Sequence, residues 1–371
     1  MRLALVTNVP APYRLPLYDL IDRRLREAGG ALTIVYGARA APGFQWVDDI
    51  AERAGPQAVF LNRSPLRIRG HNTYVNAFVV AALRRARPDV VVLGGYAPWM
   101  YPAALWCHHR RVPYLLWSGV TYRSAQTQGF RRRLRGPLIR GATGFLAYGP
   151  AARAYLLAVG AQPATVEVLG NGIDADAFAA RCERAREDRQ RLRQRLGVDG
   201  TVVLLVGGKG LALARDAVRL LGSQAMLLVV GVGKSRGEHR SEVWLGRLPS
   251  ARMPAVYVAS DCLVHLPTFD YWPHAINEAL AAGLPVVATP DTGIPDGMLT
   301  GPGCRLVCDD SEVVAEAIRA ATAVQAAESL ETREAIRASG RPWGVERMAE
   351  RFIAVAERAL RTDAEHSVLN G

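Results

Sequence analysis

Short apolar runs alternate with helical patterns in two successive series along this chain, and that alternation restricts the fold more than any other feature. In the first series Leu3 to Thr7 precedes Leu15 to Glu27, Val90 to Leu93 precedes Tyr101 to His109, Pro113 to Trp117 follows, and Gly144 to Ala147 precedes Ala151 to Val159. The second series begins after Asn171, with Val202 to Val206, Ala212 to Leu221, Met226 to Val230, Pro254 to Ala259, Cys262 to His265, His274 to Ala282, Val286 to Ala288 and Val313 to Ala323. Strands that alternate with helices build parallel sheets, because a parallel pair needs a long crossover. Between the series lie Gly170-Asn171-Gly172 and a stretch rich in arginine and glutamate, Arg181 to Arg195, which reads as a solvated helix or hinge. The expected fold is therefore α/β, with two parallel-sheet domains and a boundary near 170 to 200. The polar tail after Thr362 is expected to fray.

A chain of 371 residues, half of them hydrophobic, can bury two cores of ordinary size. The opening MRLALVTNVPAPYR places an apolar strand directly before a Pro-rich loop, without a basic start or a small-residue cleavage site, so no signal peptide is expected. The longest uncharged apolar runs, such as Thr201 to Val206 and Met226 to Val232, have strand length and do not span a membrane. The five cysteines are scattered; only Cys304 and Cys308 are close, with no histidine at metal spacing. That pattern fits a reduced cytoplasm and not a zinc site.

The net charge of +12 is unevenly distributed: residues 1 to 170 carry +14 and residues 171 to 371 carry −2. From Val90 to Val166 there is no acid at all, while Arg110, Arg111, Arg123, Arg131, Arg132, Arg133, Arg135, Arg140 and Arg153 fall inside. Only the first half would attract an anionic partner. The Arg131 to Arg135 cluster reads mainly as a solvated helical face, and secondarily as a contact for an anionic acceptor or, peripherally, for acidic lipid. No aromatic residues interleave with it as a nucleic-acid platform would require, so nucleic acid is excluded as a partner. Only Lys209 and Lys234 among the 46 basic residues are lysine. A compact ammonium close to phosphate is one place where arginine does not substitute.

The segment from Phe269 to Thr289 carries the strongest chemical signal. Asp270 and Glu278 are separated by seven residues, which puts Asp270 in the loop before a helix and Glu278 about one turn inside it. Pro273 falls in the first turn, and Gly283 with Pro285 ends the helix. The amino end of such a helix favours a diphosphate, Glu278 suits ribose hydroxyls, and Asp270 suits hydroxyls of a transferred sugar. The same spacing also fits a plain acid pair that complements the helix dipole.

This segment resembles the acid-x7-acid motif of family-four retaining glycosyltransferases, with its alanine-rich helix and Gly-x-Pro-Val-Val turn. Further pieces occur in the family's order: Val168 to Asp174 with Phe178, Tyr257-Val258-Ala259-Ser260-Asp261, the closing helix from Trp343 to Ala359, and the opening Thr7 to Arg14. The resemblance implies the GT-B fold, two Rossmann-like domains with parallel sheets facing across a cleft. Residues 1–170 would bind acceptor and 171–345 donor, and the helix of 346–371 would cross back to the first domain. It implies a nucleotide-sugar donor, UDP-sugars ahead of GDP- and dTDP-sugars, a small-molecule, saccharide or lipid-linked acceptor, retained anomeric configuration, and no cofactor or metal. Lys209, Asp270 and Glu278 carry the catalytic roles; Gly207, Gly208, Lys234, Tyr271, Trp272, Pro273 and His274 join them around the donor. Asn8, Tyr13, Arg14 and Ser118 stand on the acceptor side. Two departures from the family are visible: Gly208 stands where its diphosphate arginine is expected, and Ser118 to Thr121 occupy the place of its loop histidine, since His108 and His109 precede the strand.

Other readings are weaker. Gly231 to Ser235 resembles a phosphate loop, but Leu228 occupies the position of its first glycine. No Gly-x-Gly-x-x-Gly follows the first strand. A sugar-nucleotide epimerase or hydrolase on the same fold, and a non-catalytic nucleotide-sugar binder, are the alternatives to a transferase.

Overall fold

The computed structural model describes residues 1–371 apart from 41–49, 63–65, 69–70, 74–75, 77, 125–129, 234–240, 327–328 and 370–371, and only the backbone of 66–68, 71–73, 130–134 and 363–369. Contacts divide the chain into two units, one made of Met1–Gly170 with Val345–Gly371 and the other of Asn171–Gly344.

The first unit opens with β1 (Arg2–Thr7), a short 3-10 turn (Pro12–Arg14) and α1 (Leu15–Glu27). Then come β2 (Ala31–Tyr36), β3 (Ala58–Phe60), β4 (Leu66–Ile68), β5 (His71–Thr73), α2 (Val79–Ala86), β6 (Val90–Leu93) and α3 (Met100–Arg110). β7 (Tyr114–Ser118), α4 (Phe130–Arg140), β8 (Gly144–Ala147), α5 (Pro150–Ala158) and β9 (Val166–Val168) complete the run. Seven strands form one parallel sheet in the order β3-β2-β1-β6-β7-β8-β9. Side chains of a strand alternate between faces, so Leu3 and Leu5 of β1 enter one core with α1, while Ala4 and Val6 enter the other. The strand order reverses between β1 and β6, which opens a crevice at their carboxyl ends.

The second unit repeats the scheme. α6 (Ala175–Arg186) and α7 (Arg189–Leu196) lead into β10 (Thr201–Val206), α8 (Leu211–Leu221), β11 (Ala225–Val230), β12 (Glu242–Gly246), α9 (Met253–Ala259) and β13 (Cys262–His265). α10 (His274–Ala282), β14 (Val286–Ala288), β15 (Arg305–Leu306), α11 (Ser311–Ala326) and α12 (Leu330–Gly340) follow. Its six strands are all parallel, in the order β12-β11-β10-β13-β14-β15, and the reversal falls between β10 and β13. The last helix, α13 (Val345–Leu369), belongs to the first unit. It sends Val345, Met348, Ala349, Phe352, Val355 and Ala356 into the core that holds Leu17, Tyr18 and Trp117. It continues past Thr362, where the polar tail was expected to fray.

The sequence pattern misses the inner strand β2 and the edge strands β3, β9, β12 and β15, each of which lacks a neighbour on one side. The structure also corrects the pattern in two places. The stretch from Arg181 to Arg195 is largely solvated as expected but is not mere decoration: Arg189 and Arg193 both reach Asp261, at 2.5 and 3.2 Å, and donate to the carbonyls of Val258 and Ala259. Arg186 donates to the carbonyl of Ala282. Arg135, expected on a solvated face, is buried, with its guanidinium 5.0 Å from the Tyr96 ring centroid. His108 and His109 lie exposed in the last turn of α3. Among the described residues no helix is long and apolar enough to cross a membrane.

Candidate active site

The carboxyl ends of β10 and β13, on either side of the strand reversal, carry the residues singled out for donor chemistry. β10 ends at Val206, and Gly207 turns the chain with φ +87°, its N–H donating to the carbonyl of Val230 at 2.8 Å. A Cβ at Gly208 would lie 3.1 Å from a methyl of Val232, a contact that a small shift relieves, and Gly208 offers no side chain where the family pattern places an arginine. Gly210, at φ +73°, passes so close to the carbonyl of Leu266 that a Cβ would sit 2.2 Å from it. Glycine at 210 thus brings the Lys209 loop against the segment that follows β13.

Lys209 reaches across to that segment. Its Nζ donates to Asp270 Oδ2 at 3.0 Å and to the carbonyl of Phe269 at 3.2 Å, while more than half of its side chain stays exposed. Asp270 is held from three directions: Oδ1 accepts from the N–H of Tyr271 at 2.7 Å, Oδ2 accepts from Lys209, and His265 Nε2 lies 3.4 Å from Oδ2. Burial alone would raise the Asp270 carboxyl, but His265 and Lys209 outweigh it and hold the group well below the usual carboxylate range. Its loop is fixed from behind by Gly293, at φ +69°, where a Cβ would stand 2.4 Å from the carbonyl of Tyr271.

Tyr271 is exposed and meets Phe269 edge-on at 4.9 Å, whereas Trp272 is buried against Trp343. Pro273 is the N-cap of α10 and not a residue of its first turn, so the helix begins at His274. His274 Nε2 lies 3.3 Å from Asn171 Nδ2, which links the start of α10 to the Asn-Gly segment. Gly172 is required there because a Cβ would fall 1.8 Å from the carbonyl of Trp343. One turn into α10, Glu278 Oε2 accepts from the Tyr257 hydroxyl at 2.8 Å. Burial pushes the Glu278 carboxyl up to about 7 against the opposing pull of Tyr257 and Arg181. Burial, followed by the neighbouring carboxylate, pushes the Tyr257 phenol well above its ordinary value. Lys234 lies outside the described residues.

A lysine and an acid thus meet at a strand reversal, in front of a helix whose amino end faces outward from the sheet, a setting in which open α/β sheets bind phosphorylated ligands. Two family profiles match the chain over these elements: "Glycosyltransferase Family 4" over residues 20–177 and "Glycosyl transferases group 1" over residues 200–323. The chain belongs to family four of the glycosyltransferases. A GDP-mannose-dependent alpha-mannosyltransferase of Mycobacterium tuberculosis is 31% identical over 137 residues, 35% of this chain and 34% of that protein. The chain therefore matches about a third of the length of that curated relative. HepE of Anabaena, solved with UDP, has 18% identity and a TM-score of 0.72 over 96% of this chain and 100% of that one. A UDP-GlcNAc 2-epimerase of Neisseria meningitidis, solved with UDP-GlcNAc, has 13% identity and a TM-score of 0.62 over 96% of this chain and 100% of that one. These likenesses establish the GT-B fold for this family-four chain.

The residues assigned to the acceptor side lie in the first unit, at the carboxyl edge of its sheet. Asn8 Oδ1 accepts from Trp99 Nε1 at 3.3 Å, and the Asn8 carbonyl accepts from the Ala38 N–H. Tyr13 is partly exposed in the 3-10 turn. Arg14 is buried, with its guanidinium 4.0 Å from the Trp117 ring centroid and donating to the Tyr148 hydroxyl. Ser118 is also buried, and its Oγ accepts from the Val120 N–H at 3.2 Å, so it shapes the loop after β7 from within.

Three residues have contacts that sequence reasoning does not reach. His265 backs Asp270, Tyr257 holds Glu278, and Asp261 ties α7 to β10 by accepting from Arg189, Arg193 and the N–H of Val202. His265 could have been found as a polar residue closing an otherwise apolar strand five residues before Asp270. Tyr257 and Asp261 are the two ends of the stretch already noted as resembling the family, but their roles depend on contacts between distant segments, which the stretch itself does not reveal.

Proposed function

We propose that this family-four chain moves a sugar from a nucleotide-diphosphate sugar to an acceptor with its anomeric configuration kept, without a cofactor or metal. The meeting of Lys209 and Asp270 at the β10 and β13 ends, before the first turn of α10, carries the reading. As the glycosidic bond breaks, negative charge grows on the departing diphosphate. An ammonium and a helix amino end aimed at that position stabilise it most where the charge is greatest. Lys209 takes the leaving-group role because Gly208 contributes no side chain, and Lys234 supplements it. Donor arrival turns Lys209 from Asp270 toward phosphate, which frees one Asp270 oxygen for hydroxyls of the sugar. Glu278, steadied by Tyr257, accepts from the ribose. The second unit holds donor, and Asn8, Tyr13, Arg14 and Ser118 form or support the acceptor side of the first. Relatives named for UDP and for GDP-mannose support a nucleotide sugar, with UDP-sugars to be tried first.

The test is donor consumption by mass spectrometry, offering UDP-, GDP- and dTDP-sugars with and without a mixed acceptor extract. The expected result is acceptor-dependent release of nucleotide diphosphate that falls about a hundredfold or more in Lys209→Ala, the size of loss seen when one stabilising donor is removed. Conversion that needs no acceptor would make the chain an epimerase or hydrolase. Donor binding without turnover under every acceptor would make it a nucleotide-sugar binder.

A further inference from the structure

The acceptor edge of the first unit contains a buried positive charge that its own residues do not neutralise. Arg14 ends the 3-10 turn between β1 and α1 and is only 8% exposed. Its guanidinium lies over aromatic rings, 4.0 Å from the Trp117 centroid, 5.2 Å from Tyr148 and 5.8 Å from Tyr13. It donates to the Tyr148 hydroxyl, and Tyr18 lies against it. Among the described residues no carboxylate stands at ion-pair distance from Arg14, and the groups that act on its charge are the phenols of Tyr148, Tyr18 and Tyr13. Asp19, on the same helix as Tyr18, is turned to Gln57, which donates to it at 3.2 Å. The Tyr36 hydroxyl, at the end of β2, is buried nearby without a hydrogen-bond partner among the described residues.

Desolvating a guanidinium without an anion is unfavourable, and aromatic faces recover only part of that cost. The surrounding sequence cannot supply the missing charge from β6, β7 or β8, because residues 90 to 166 contain no acid. Arg14, Trp117, Tyr148 and Tyr36 all follow or end strands at their carboxyl ends, where open α/β sheets take ligands. A guanidinium presents a planar fork that fits a carboxylate or a phosphate. We propose that Arg14, framed by Trp117 and Tyr148, binds an anionic group of the acceptor, a carboxylate or a phosphate. This rests on the transferase reading for its purpose, though not for its chemistry.

Titration of inorganic phosphate, and separately of acetate, at constant ionic strength tests it, with the Trp117 indole N–H followed by NMR. Wild type, Lys209→Ala and Arg14→Met are compared, and thermal melting is recorded for each. The expected result is a saturable shift of the Trp117 signal with at least one of the two anions in wild type and Lys209→Ala. In Arg14→Met the shift is lost and the Tm does not fall, because the variant removes an uncompensated buried charge. Phosphate alone, acetate alone or both then identifies the acceptor's anionic group. No shift of Trp117 in wild type, a shift that persists in Arg14→Met, or one that vanishes in Lys209→Ala would overturn the proposal. A lower Tm in Arg14→Met with no anion effect in wild type would make Arg14 a packing residue. Phosphate binding at Arg14 in a protein that consumes no donor would instead refute the transferase reading and leave this site standing.

Discussion

In the transferase reading proposed above, Glu278 offers oxygens to ribose hydroxyls, yet it is enclosed by the Tyr257 hydroxyl and the turn of α10. Enclosure raises its carboxyl from 4.5 to about 7, so the folded protein keeps a proton there that the unfolded chain releases two units or more lower. Between about pH 4.5 and 7 the native state therefore binds the extra proton, and stability from this group falls as pH rises through that window. We predict that the Tm of wild type falls relative to Glu278→Gln from pH 4.5 to 7 and that the gap levels off above pH 8; a gap independent of pH would show that the carboxyl is not enclosed. The acid-x7-acid spacing made Asp270 and Glu278 legible from sequence, because the spacing and helix punctuation are local. Their contacts with His265 and Tyr257 were not, although Tyr257 begins a stretch noted from sequence, because each contact forms only in the folded chain.

At the level of elements, the charged helices α6 and α7 show how composition misleads. Their arginines suggest solvent, yet Arg189 and Arg193 converge on Asp261, which also accepts from the N–H of Val202 at the start of β10. The three groups are mostly shielded, and their geometry locks α7, α9 and β10 together. Asp261→Asn leaves two arginines facing a neutral amide, and we predict a loss of about 2–3 kcal/mol in urea unfolding, in the range for removing one partner of a shielded pair. A loss under about 0.5 kcal/mol would return these helices to the surface role that their sequence suggests. Most inner strands and the α10 boundaries were readable because apolar runs and Gly283 mark them, but β2 was passed over although it lies between β3 and β1. The edge strands were not, since they are two to five residues long and mostly uncovered, which gives no apolar run to recognise.

For the whole molecule, two alternating series translate into two parallel sheets because each apolar strand needs cover on both faces, and the crossover helices supply it. The feature that alternation alone could not assign is α13, whose Phe352 is wholly buried and meets Trp117 edge-on at 5.7 Å. Phe352→Ala should cost about 3–5 kcal/mol, measured as a shift in the unfolding midpoint of the first unit, as for other large core truncations. A midpoint unchanged by the substitution would mean that α13 is dispensable to that core. The same helix has a consequence during synthesis. The first unit begins at Met1, but part of its core arrives only with residues beyond Val345, whereas the second is one continuous segment. On the ribosome, residues 1–170 emerge before the second unit but gain this part of their core only after it, and a nascent chain paused before α13 carries an open hydrophobic face where Met348, Phe352 and Val355 will pack.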